Sequence, residues 1–457
     1  MNRRPHALAA PVAAPRRPLW QALAQAGLFL SLAGAALPSM AQSLGALYQS
    51  ARDFDATYLS ARSQYQANLA KAEQARAGLR PQASLSAGAN VANVDSSLTG
   101  RRDTNSQNAA LGASMPLYRP VNQIAFDQAQ KSLEVAEGQL LAAEHDLIVR
   151  SSQAYFDVLA AQDTLTFVKA QKTAVAEQLA AAKRNFEVGT STITDSREAQ
   201  ARYDLVLAQE IAAENDLRVK KLALDQLVGR SGTEPLALAT PVGLPALSPE
   251  DLGPWVSQSE AAHPGIRQAR AALDIAALET RRAEAGKKPT VDLTGQYQIA
   301  RSPSTSALAA GNVRTNTASV GVQFNMPLYT GGALENRIVE AAALEDKART
   351  DLEAARRTVA QATRAAYFGV ISGLGQVKAL EAAEASSQSA LDANKLGYQV
   401  GVRINIDVLN AQSQLFQTKR DLAVARYNVL VGGLRLKQAS GVLKAEDLSA
   451  IDALLAK

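Results

Sequence analysis

The stretch Thr317-Ala-Ser-Val-Gly-Val-Gln-Phe-Asn-Met-Pro-Leu-Tyr329 decides the fold of this chain. Apolar side chains at every second position alternate with small or polar ones, which is the period of a β-strand with one apolar face. The stretch ends in Met326-Pro327-Leu328-Tyr329, and the same four residues stand at 115–118. One segment therefore predicts both a strand and an internal repeat.

The repeat extends along the chain after residue 41 as two ordered copies of one unit. Besides Met-Pro-Leu-Tyr, the copies share a glycine and a proline, an Ala-Tyr-Phe motif, an aspartate and an Ala-Gln pair. These positions are Gly78 and Gly286, Pro81 and Pro289, Ala154-Tyr155-Phe156 and Ala366-Tyr367-Phe368, Asp195 and Asp407, and Ala199-Gln200 and Ala411-Gln412. Chance similarity does not give such ordered matches, so the sequence predicts two structural repeats.

Each repeat contains two segments of strand period. They are predicted at about 82–94 and 108–117 in repeat one, and at about 290–299 and 317–329 in repeat two, with polar loops at about 95–107 and 300–316. Strict alternation over about ten residues suits a membrane-spanning barrel, although a soluble, half-buried sheet gives the same pattern. About eight strands is the smallest closed barrel. The sheet is therefore either open and covered, or shared by several copies, and three copies would give twelve strands.

Long helices fill the rest of each repeat. Proline is absent from 121–234 and from 328–457, which permits long uninterrupted helices. We predict long helices at about 122–188 and 333–400, followed by shorter ones at about 193–229 and 405–440, and a shorter helix also precedes each strand pair. Apolar residues, many of them alanine, recur at spacings of three and four, which indicates close coiled-coil packing. Two shorter helices end to end match one long helix, so we expect an all-helical cylinder wall.

Residues 1–41 are predicted to be an export signal, because four arginines without an acid precede an apolar stretch that ends in Ser39-Met40-Ala41. A membrane anchor is the alternative, but polar residues interrupt the stretch. Removal lowers the formal net charge from +5 to +1, so the charge does not indicate nucleic-acid binding. The remaining organisation is repeat one at 42–230, a proline-rich linker at 231–255, repeat two at 256–441 and a tail at 442–457.

The composition excludes several kinds of chemistry. The chain has no cysteine, which excludes a disulfide scaffold, a thiolate nucleophile and a cysteine-ligated metal, and its three histidines exclude a histidine-rich metal site. No P-loop or G-x-S-x-G motif is present. We therefore predict a protein without catalytic residues, cofactor or metal, whose energy comes from a partner.

The stretch Gly397-Tyr398-Gln399-Val400-Gly401-Val402-Arg403-Ile404-Asn405-Ile406-Asp407 and its counterpart Phe186-Glu187-Val188-Gly189 resemble the hairpin tips of TolC-type outer-membrane efflux channels. The resemblance covers essentially the whole mature chain and favours the TolC and type I secretion members over the lipid-anchored drug-efflux branch. It implies an α+β membrane protein and a homotrimer. In such a homotrimer, as the resemblance implies, a twelve-stranded outer-membrane β-barrel with four strands per chain continues into a long α-helical coiled-coil tunnel in the periplasm.

The same resemblance implies a passive conduit in the lipid of the outer membrane, serving type I protein secretion, drug efflux or both. It would open when a periplasmic adaptor (membrane fusion protein) and an inner-membrane pump of the ABC or RND type dock. Two alternatives remain at this point. A periplasmic coiled-coil adaptor or scaffold without a pore should have a single helical hairpin, and an ordinary porin needs many more strands per chain and little helix.

The resemblance also implies a periplasmic gate. Tyr398 and Arg403 match residues that lace neighbouring coils shut, and Thr194 and Asp195 match their partners on the other hairpin. Asp407 matches the first aspartate of an acidic ring in the pore. The second aspartate of that ring falls on Asn410, a weaker pore-lining candidate, which leaves three charges per trimer. The alternative is that Asp195 and Asp407 only cap the N-termini of their helices.

Overall fold

The computed structural model describes residues 42–97, 100–239, 243–303 and 312–456, and the predicted signal at 1–41 lies outside them. In chain order the elements are α1 (Leu44–Phe54), α2 (Ala56–Ala77), β1 (Gln82–Ser96), β2 (Gly100–Tyr118), α3 (Pro120–Glu187), α4 (Ile193–Val228), α5 (Leu252–Ala262), α6 (Pro264–Ala285), β3 (Thr290–Pro303), β4 (Asn312–Asn325), α7 (Ala333–Gln399), α8 (Asn405–Ala439) and α9 (Asp447–Asp452). A helix pair, a strand pair, a long helix and a shorter helix follow one another twice. The sequence repeat is therefore also a structural repeat.

The four strands form one antiparallel sheet in the order β1-β2-β3-β4. The register places apolar positions of all four strands on one face and small or polar positions on the other. One apolar row is Leu85, Leu111, Tyr297 and Ala318, and one row of the opposite face is Ser84, Gly112, Gln296 and Ser319. The chain leaves the apolar face uncovered, since the side chains of Leu85 and Val320 are 79% and 84% exposed.

The apolar band on this face has a defined height. It covers positions 83–91 of β1, 109–117 of β2 and 291–299 of β3. About nine residues at about 3.3 Å cover about 30 Å along a strand, or about 23 Å of membrane depth if the strand tilts by about 40°. Beyond the band the same face carries Arg301 and Arg314, which lie opposite each other. The height of this band matches that of a lipid-facing barrel strand, and the two arginines mark where the apolar face ends.

The strand pairs are longer than the alternation predicts. β2 begins at Gly100, inside the expected loop at 95–107, and the pairing runs up to Ser96 opposite Gly100. Polar side chains do not interrupt the ladder, because its hydrogen bonds use only the backbone. β3 and β4 likewise extend into the expected loop at 300–316, of which 304–311 lie outside the described residues. β4 ends at Asn325 rather than at 329, and the nearby Pro327 has no amide hydrogen to donate.

The two long helices run without interruption. α3 has 68 residues and α7 has 67, so each is about 100 Å long. α2 and α4 pack against α3, and α6 and α8 pack against α7, so each long helix has two shorter neighbours. α3 also packs against α6 and α8, which joins the two repeats. Within the described part of the chain, no helix has a stretch apolar enough to cross a membrane.

The largest apolar core surrounds the middle of α3. The rings of Tyr155 and Phe156 meet edge to face with centroids 5.4 Å apart, and Phe156 stacks on Tyr427 at 5.5 Å. The Tyr155 hydroxyl donates to the carbonyl oxygen of Leu236 at 2.8 Å, which ties the linker to the helices. Leu455 and other residues of the tail are buried in the same core. Linker and tail therefore form one belt around the helices.

A bidentate ion pair joins the sheet to the helices. Nε and Nη2 of Arg119, the residue before α3, donate to the two carboxylate oxygens of Asp292 at 2.7 and 2.6 Å. Asp292 lies on β3 and is only 9% exposed. Two parallel charge-assisted hydrogen bonds fix direction as well as distance. The pair therefore sets where a strand of repeat two meets the long helix of repeat one.

We expect Arg119→Gln to destabilise the folded protein by about 1–3 kcal/mol, because Asp292 keeps its charge and loses both donors. Asp292→Asn should cost less, and the double variant should cost less than the sum of the two, as coupled partners do. Chemical unfolding of the detergent-solubilised protein measures these differences. Arg80→Gln, in the exposed turn before β1, is the control, and strictly additive effects would contradict direct coupling.

Candidate functional site

The two hairpin turns, at 188–192 between α3 and α4 and at 400–404 between α7 and α8, have the same backbone. Val188 and Val400 each donate an amide hydrogen bond to the carbonyl four residues back, both at 3.1 Å. The next residue is Gly189 in one turn and Gly401 in the other, and φ is +78° at both. Residues with a side chain rarely adopt this conformation. The shared Val-Gly motif therefore produces a shared turn.

A capping box closes the turn into α4. Thr192 is the N-cap, and its hydroxyl accepts from the amide of Asp195 at 3.2 Å. The Oδ2 atom of Asp195 accepts in return from the amide of Thr192 at 3.0 Å and from the Ser191 hydroxyl at 2.8 Å. The alternative that Asp195 is itself the N-cap is therefore wrong. Thr192 takes the cap, and Asp195 completes the box from the third helical position.

These contacts keep Asp195 ionised. Burial by itself would raise the pKa of its carboxyl group, but hydrogen bonds from Ser191 and Thr192 outweigh burial and hold the pKa below its ordinary value. Thr194, the neighbouring gate candidate, is exposed and makes no side-chain hydrogen bond within the described part of the chain. Of the two gate candidates on this hairpin, Asp195 therefore has a carboxylate held by hydrogen bonds, and Thr194 has an exposed hydroxyl.

The turn into α8 is built differently. Its N-cap is Ile404, which offers no side-chain cap, so the suggestion that Asp407 is an N-cap is also wrong. Asp407 lies in the first helical turn, 3.6 Å from Nη1 of Arg403 on the same hairpin. Arg403 lies against the last turn of α7, where a Cβ atom at Gly397 would come within 2.7 Å of its Cγ. Within one chain, Arg403 therefore pairs on its own hairpin rather than across coils.

Other polar contacts join the two hairpins of one chain. The side-chain amide of Asn185 on α3 donates to the Tyr398 hydroxyl at 3.2 Å, so Tyr398 reaches the other hairpin at Asn185 rather than at Asp195. Asn405 is 1% exposed. Its side chain accepts from Gln178 of α3 and donates to the backbone carbonyl of Asp195 at 3.4 Å. These three contacts between the hairpins therefore use only side-chain amides, one backbone carbonyl and one phenol.

Sequence reasoning missed Gln178, Asn185 and Asn405. One signal was available, since repeat one has the apolar Ile193 at the position of Asn405 and the polar residue departs from the repeat. Asn410, the weaker pore-lining candidate, is also engaged, because its carbonyl oxygen accepts from Nη2 of Arg202 on α4 at 2.8 Å.

Apolar packing supports these polar contacts. Val175, Leu179 and Val206 of the first hairpin and Leu409 of the second lie in one buried cluster. Among the described residues, no group of three or more histidine, aspartate or glutamate side chains could hold a metal ion. The tip thus offers hydrogen bonds and an ion pair over an apolar base, contacts that can separate and re-form without covalent chemistry.

The chain has extensive similarity to known proteins. The family described as "Outer membrane efflux protein" matches residues 47–230 and 255–442, which correspond to the two repeats. The chain is 33% identical to the outer membrane protein TolC of Vibrio cholerae, over 93% of this chain and 97% of that protein. It is 30% identical to the alkaline protease secretion protein AprF of Pseudomonas aeruginosa, over 77% and 73% of the two chains. The outer membrane channel CmeC of Campylobacter jejuni superposes with a TM-score of 0.76 at 16% identity and covers 90% of each chain.

We expect acid to loosen the turn into α4. Because the folded-state pKa of Asp195 is lowered, its carboxylate contributes stability above its ordinary pKa of 3.8, and this contribution is lost as the pH falls through the lower folded pKa. Hydrogen exchange at the amides of 192–196, corrected for the intrinsic rate, should therefore rise below about pH 4. Asp195→Asn should show faster exchange already at pH 7.

Glu198→Gln provides the matched control, since Glu198 lies less than one turn further along α4 and is exposed. This variant should exchange like the wild type at every pH. If Asp195→Asn also behaved like the wild type at pH 7, the capping box would have no role in holding the turn.

Proposed function

The chain belongs to the outer membrane efflux protein family, and we propose that three copies of it form the outer-membrane conduit of a tripartite export machine. Membership confirms the predicted fold class, the outer-membrane location and the function as a channel rather than an enzyme. The two alternatives, a pore-less adaptor or scaffold and an ordinary porin, are thereby set aside.

The exposed four-stranded sheet is the observation that supports assembly. β1 and β4 are its edges, and every residue of β4 is exposed. An open edge leaves unpaired N–H and C=O groups, and hydrocarbon offers these groups no partner. Three copies supply twelve strands and close the sheet without an edge. Closure then directs the apolar face with Leu111 and Tyr297 to lipid, and the face with Ser84 and Ser319 to a water-filled lumen.

The helices extend the conduit. α3 and α7 are about 100 Å long and each has two shorter neighbours, so three copies place six long helices and their partners around one axis. A wall of this kind encloses water without needing a globular core. The sequence has no nucleotide-binding P-loop, so a partner drives transport. A periplasmic adaptor and an inner-membrane ABC or RND pump would supply that drive.

The cargo proposal draws on two relatives. AprF is named for alkaline protease secretion, and a protein of Dickeya chrysanthemi named for protease secretion, PrtF, is 29% identical over 82% of this chain. These names support type I protein secretion as one use of the conduit, with drug efflux as a second. A strain lacking the chain should lose export of a secreted protein or become more sensitive to drugs, and the phenotype that appears identifies the cargo.

The hairpin tips form the proposed gate, with Thr194, Asp195, Tyr398, Arg403 and Asp407 as its residues. Each contact seen there is weak by itself, about 0.5–3 kcal/mol for a hydrogen bond or an exposed ion pair. Threefold repetition adds these contributions. The closed tip is then firm, yet a partner that binds the open state more tightly can still open it.

Asn410 has a lesser part in this gate. Its side chain accepts from Arg202, which belongs to the neighbouring helix α4. It therefore holds the two hairpins of one chain together, and the acidic ring consists of three Asp407 carboxylates. We expect a weaker block by divalent cations than a ring of six carboxylates would give.

Purification in detergent and planar-bilayer recording test this function. We expect the outer-membrane fraction to yield a trimer that forms small, mostly closed channels. Tyr398→Phe removes the acceptor for Asn185 between the hairpins, and Arg403→Ser removes the ion pair with Asp407 that fixes the turn into α8. Both should loosen the closed tip and increase single-channel conductance. The two changes together should open the channel more than either alone.

Two controls match these changes chemically. Arg184→Ser removes an exposed arginine that makes no ion pair within the described residues, and Tyr203→Phe removes a hydroxyl that likewise shows no hydrogen bond there. Both should keep the wild-type conductance. A soluble monomer would refute the proposed function, and unchanged conductance in both test variants would refute the gate.

A further inference from the structure

Two arginines lie side by side on the apolar face of the sheet, just beyond the apolar band. Arg301 of β3 is directly opposite Arg314 of β4, and Gln107 of β2 is opposite Arg301 on its other side. Both arginines are exposed. Like charges that face each other across two strands destabilise a sheet. The arrangement is therefore costly unless an anion lies between the two guanidinium groups.

The strands around this pair supply no such anion. β3 lies between β2 and β4, so the register sets the neighbours of Arg301, and closure of a ring adds none beside it. On this side of the described sheet these neighbours carry no carboxylate. Besides Arg314 they are Gln107, Ala109, Ile299, Pro303, Asn312 and Asn316. The sequence of the segment 304–311 contains no aspartate or glutamate either. The balancing negative charge therefore has to come from outside these strands.

The depth of the pair points to the headgroup layer of a membrane. The apolar band of β3 ends at Ile299, and Arg301 is the next residue on the same side. It lies about 7 Å further along the strand, or about 5 Å in depth at a tilt of about 40°. The polar layer on each side of the hydrocarbon is about 5–7 Å thick. All four strands meet the helices at their other ends. In the proposed conduit the helices lie in the periplasm, so the arginines lie at the outer leaflet.

We propose that Arg301 and Arg314 bind a phosphate group of a lipid in the outer leaflet. A guanidinium group donates two parallel hydrogen bonds to one phosphate, so two adjacent guanidinium groups can hold a doubly charged phosphate from both sides. Gln107 and Asn316 lie on the same side of the sheet and add amide donors for other oxygens of the headgroup. This inference rests on the proposed conduit, because closure of the ring turns this face to lipid.

A third arginine on this face differs in both depth and partners. Arg101 of β2 lies opposite Asp95 of β1, about 20 Å further along the strand than the row of Arg301. Its Nε atom donates to Asn93 at 2.9 Å, and the Asn93 amide donates in turn to Asp103 at 2.5 Å. Arg101 thus has acidic neighbours in its own chain and lies beyond the headgroup layer, which makes it the matched control.

Native mass spectrometry of the detergent-solubilised trimer tests the site, with purified lipid A carrying two phosphates as the probe. We expect one molecule of this lipid to bind per chain. The variant Arg301→Gln with Arg314→Gln should bind it at least about tenfold more weakly, because hydrogen bonds to a charged group are lost. Arg101→Gln should bind like the wild type. Lipid A without its phosphates should bind the wild type no better than the phosphorylated lipid binds the double variant.

A charge reversal separates loss of the site from loss of the fold. Arg314→Glu places a carboxylate opposite Arg301, so the sheet exchanges a like-charge pair for a cross-strand ion pair. We expect its trimer to be at least as heat-resistant as the wild type in an uncharged detergent, yet to bind phosphorylated lipid A at least about tenfold more weakly. Arg314→Lys keeps the charge but loses the planar set of donors, so its affinity should lie in between.

Two results would overturn the site and leave the conduit standing. One is equal binding of the two lipids to the wild-type trimer, and the other is unchanged binding in the double variant. Displacement of the lipid by inorganic phosphate at a similar concentration would indicate a site for free phosphate and would also overturn the proposal. A wild-type protein that forms no trimer would instead refute the proposed conduit, so the two failures are distinguishable.

Discussion

The open edges of the four-stranded sheet are the constraint on which the structure depends. Backbone N–H and C=O groups in hydrocarbon must be paired within protein, and a four-stranded sheet leaves two edges unpaired. The apolar band makes this requirement unavoidable, because it directs those edges into lipid. Closure of the sheet by further copies pairs both edges at once. The belt of linker and tail residues and the Arg119–Asp292 ion pair then hold the helices and the sheet in the relative orientation that closure requires.

Alanine-rich helices are the second consequence of closure. A ring of long helices around water cannot bury large side chains on both faces, so the apolar core of the described residues is confined to the belt near Tyr155 and to small clusters between neighbouring helices. Small residues let the helices approach closely along their length. The polar residues at the tip then determine which side chains of the two hairpins contact each other. Stability is thus concentrated in the middle, and the ends are held by weaker contacts such as Asn185–Tyr398.

Much of the architecture could be predicted from local sequence. Period-2 alternation located the four strands, and the absence of proline located α3 and α7, because these signals act within a few residues. The strand ends near Gly100 and Asn312 could not be predicted, since a ladder continues through polar residues when its partner strand does. The side-chain contacts of Arg403 and Tyr398 could not be predicted from the sequence pattern either. These contacts depend on which helix faces lie together, which the sequence pattern does not specify. The contact of Asn405 with Gln178 had one sequence signal, the departure of Asn405 from the repeat.

The junction between the two repeats, where β2 pairs with β3 and α3 packs on α6 and α8, shows how a duplicated chain fixes the arrangement of its halves. Polar pairs such as Gln178–Asn405 suit this junction, because both partners are present while the chain folds and directional bonds select one arrangement. The same groups on the outer faces would be exposed before assembly, and any unmatched one would be desolvated by it. The repeat counterparts of Gln178 and Asn405 are Ala390 and Ile193, which carry no polar side-chain group. The two repeats have therefore diverged at positions where one chain needs directional contacts of its own.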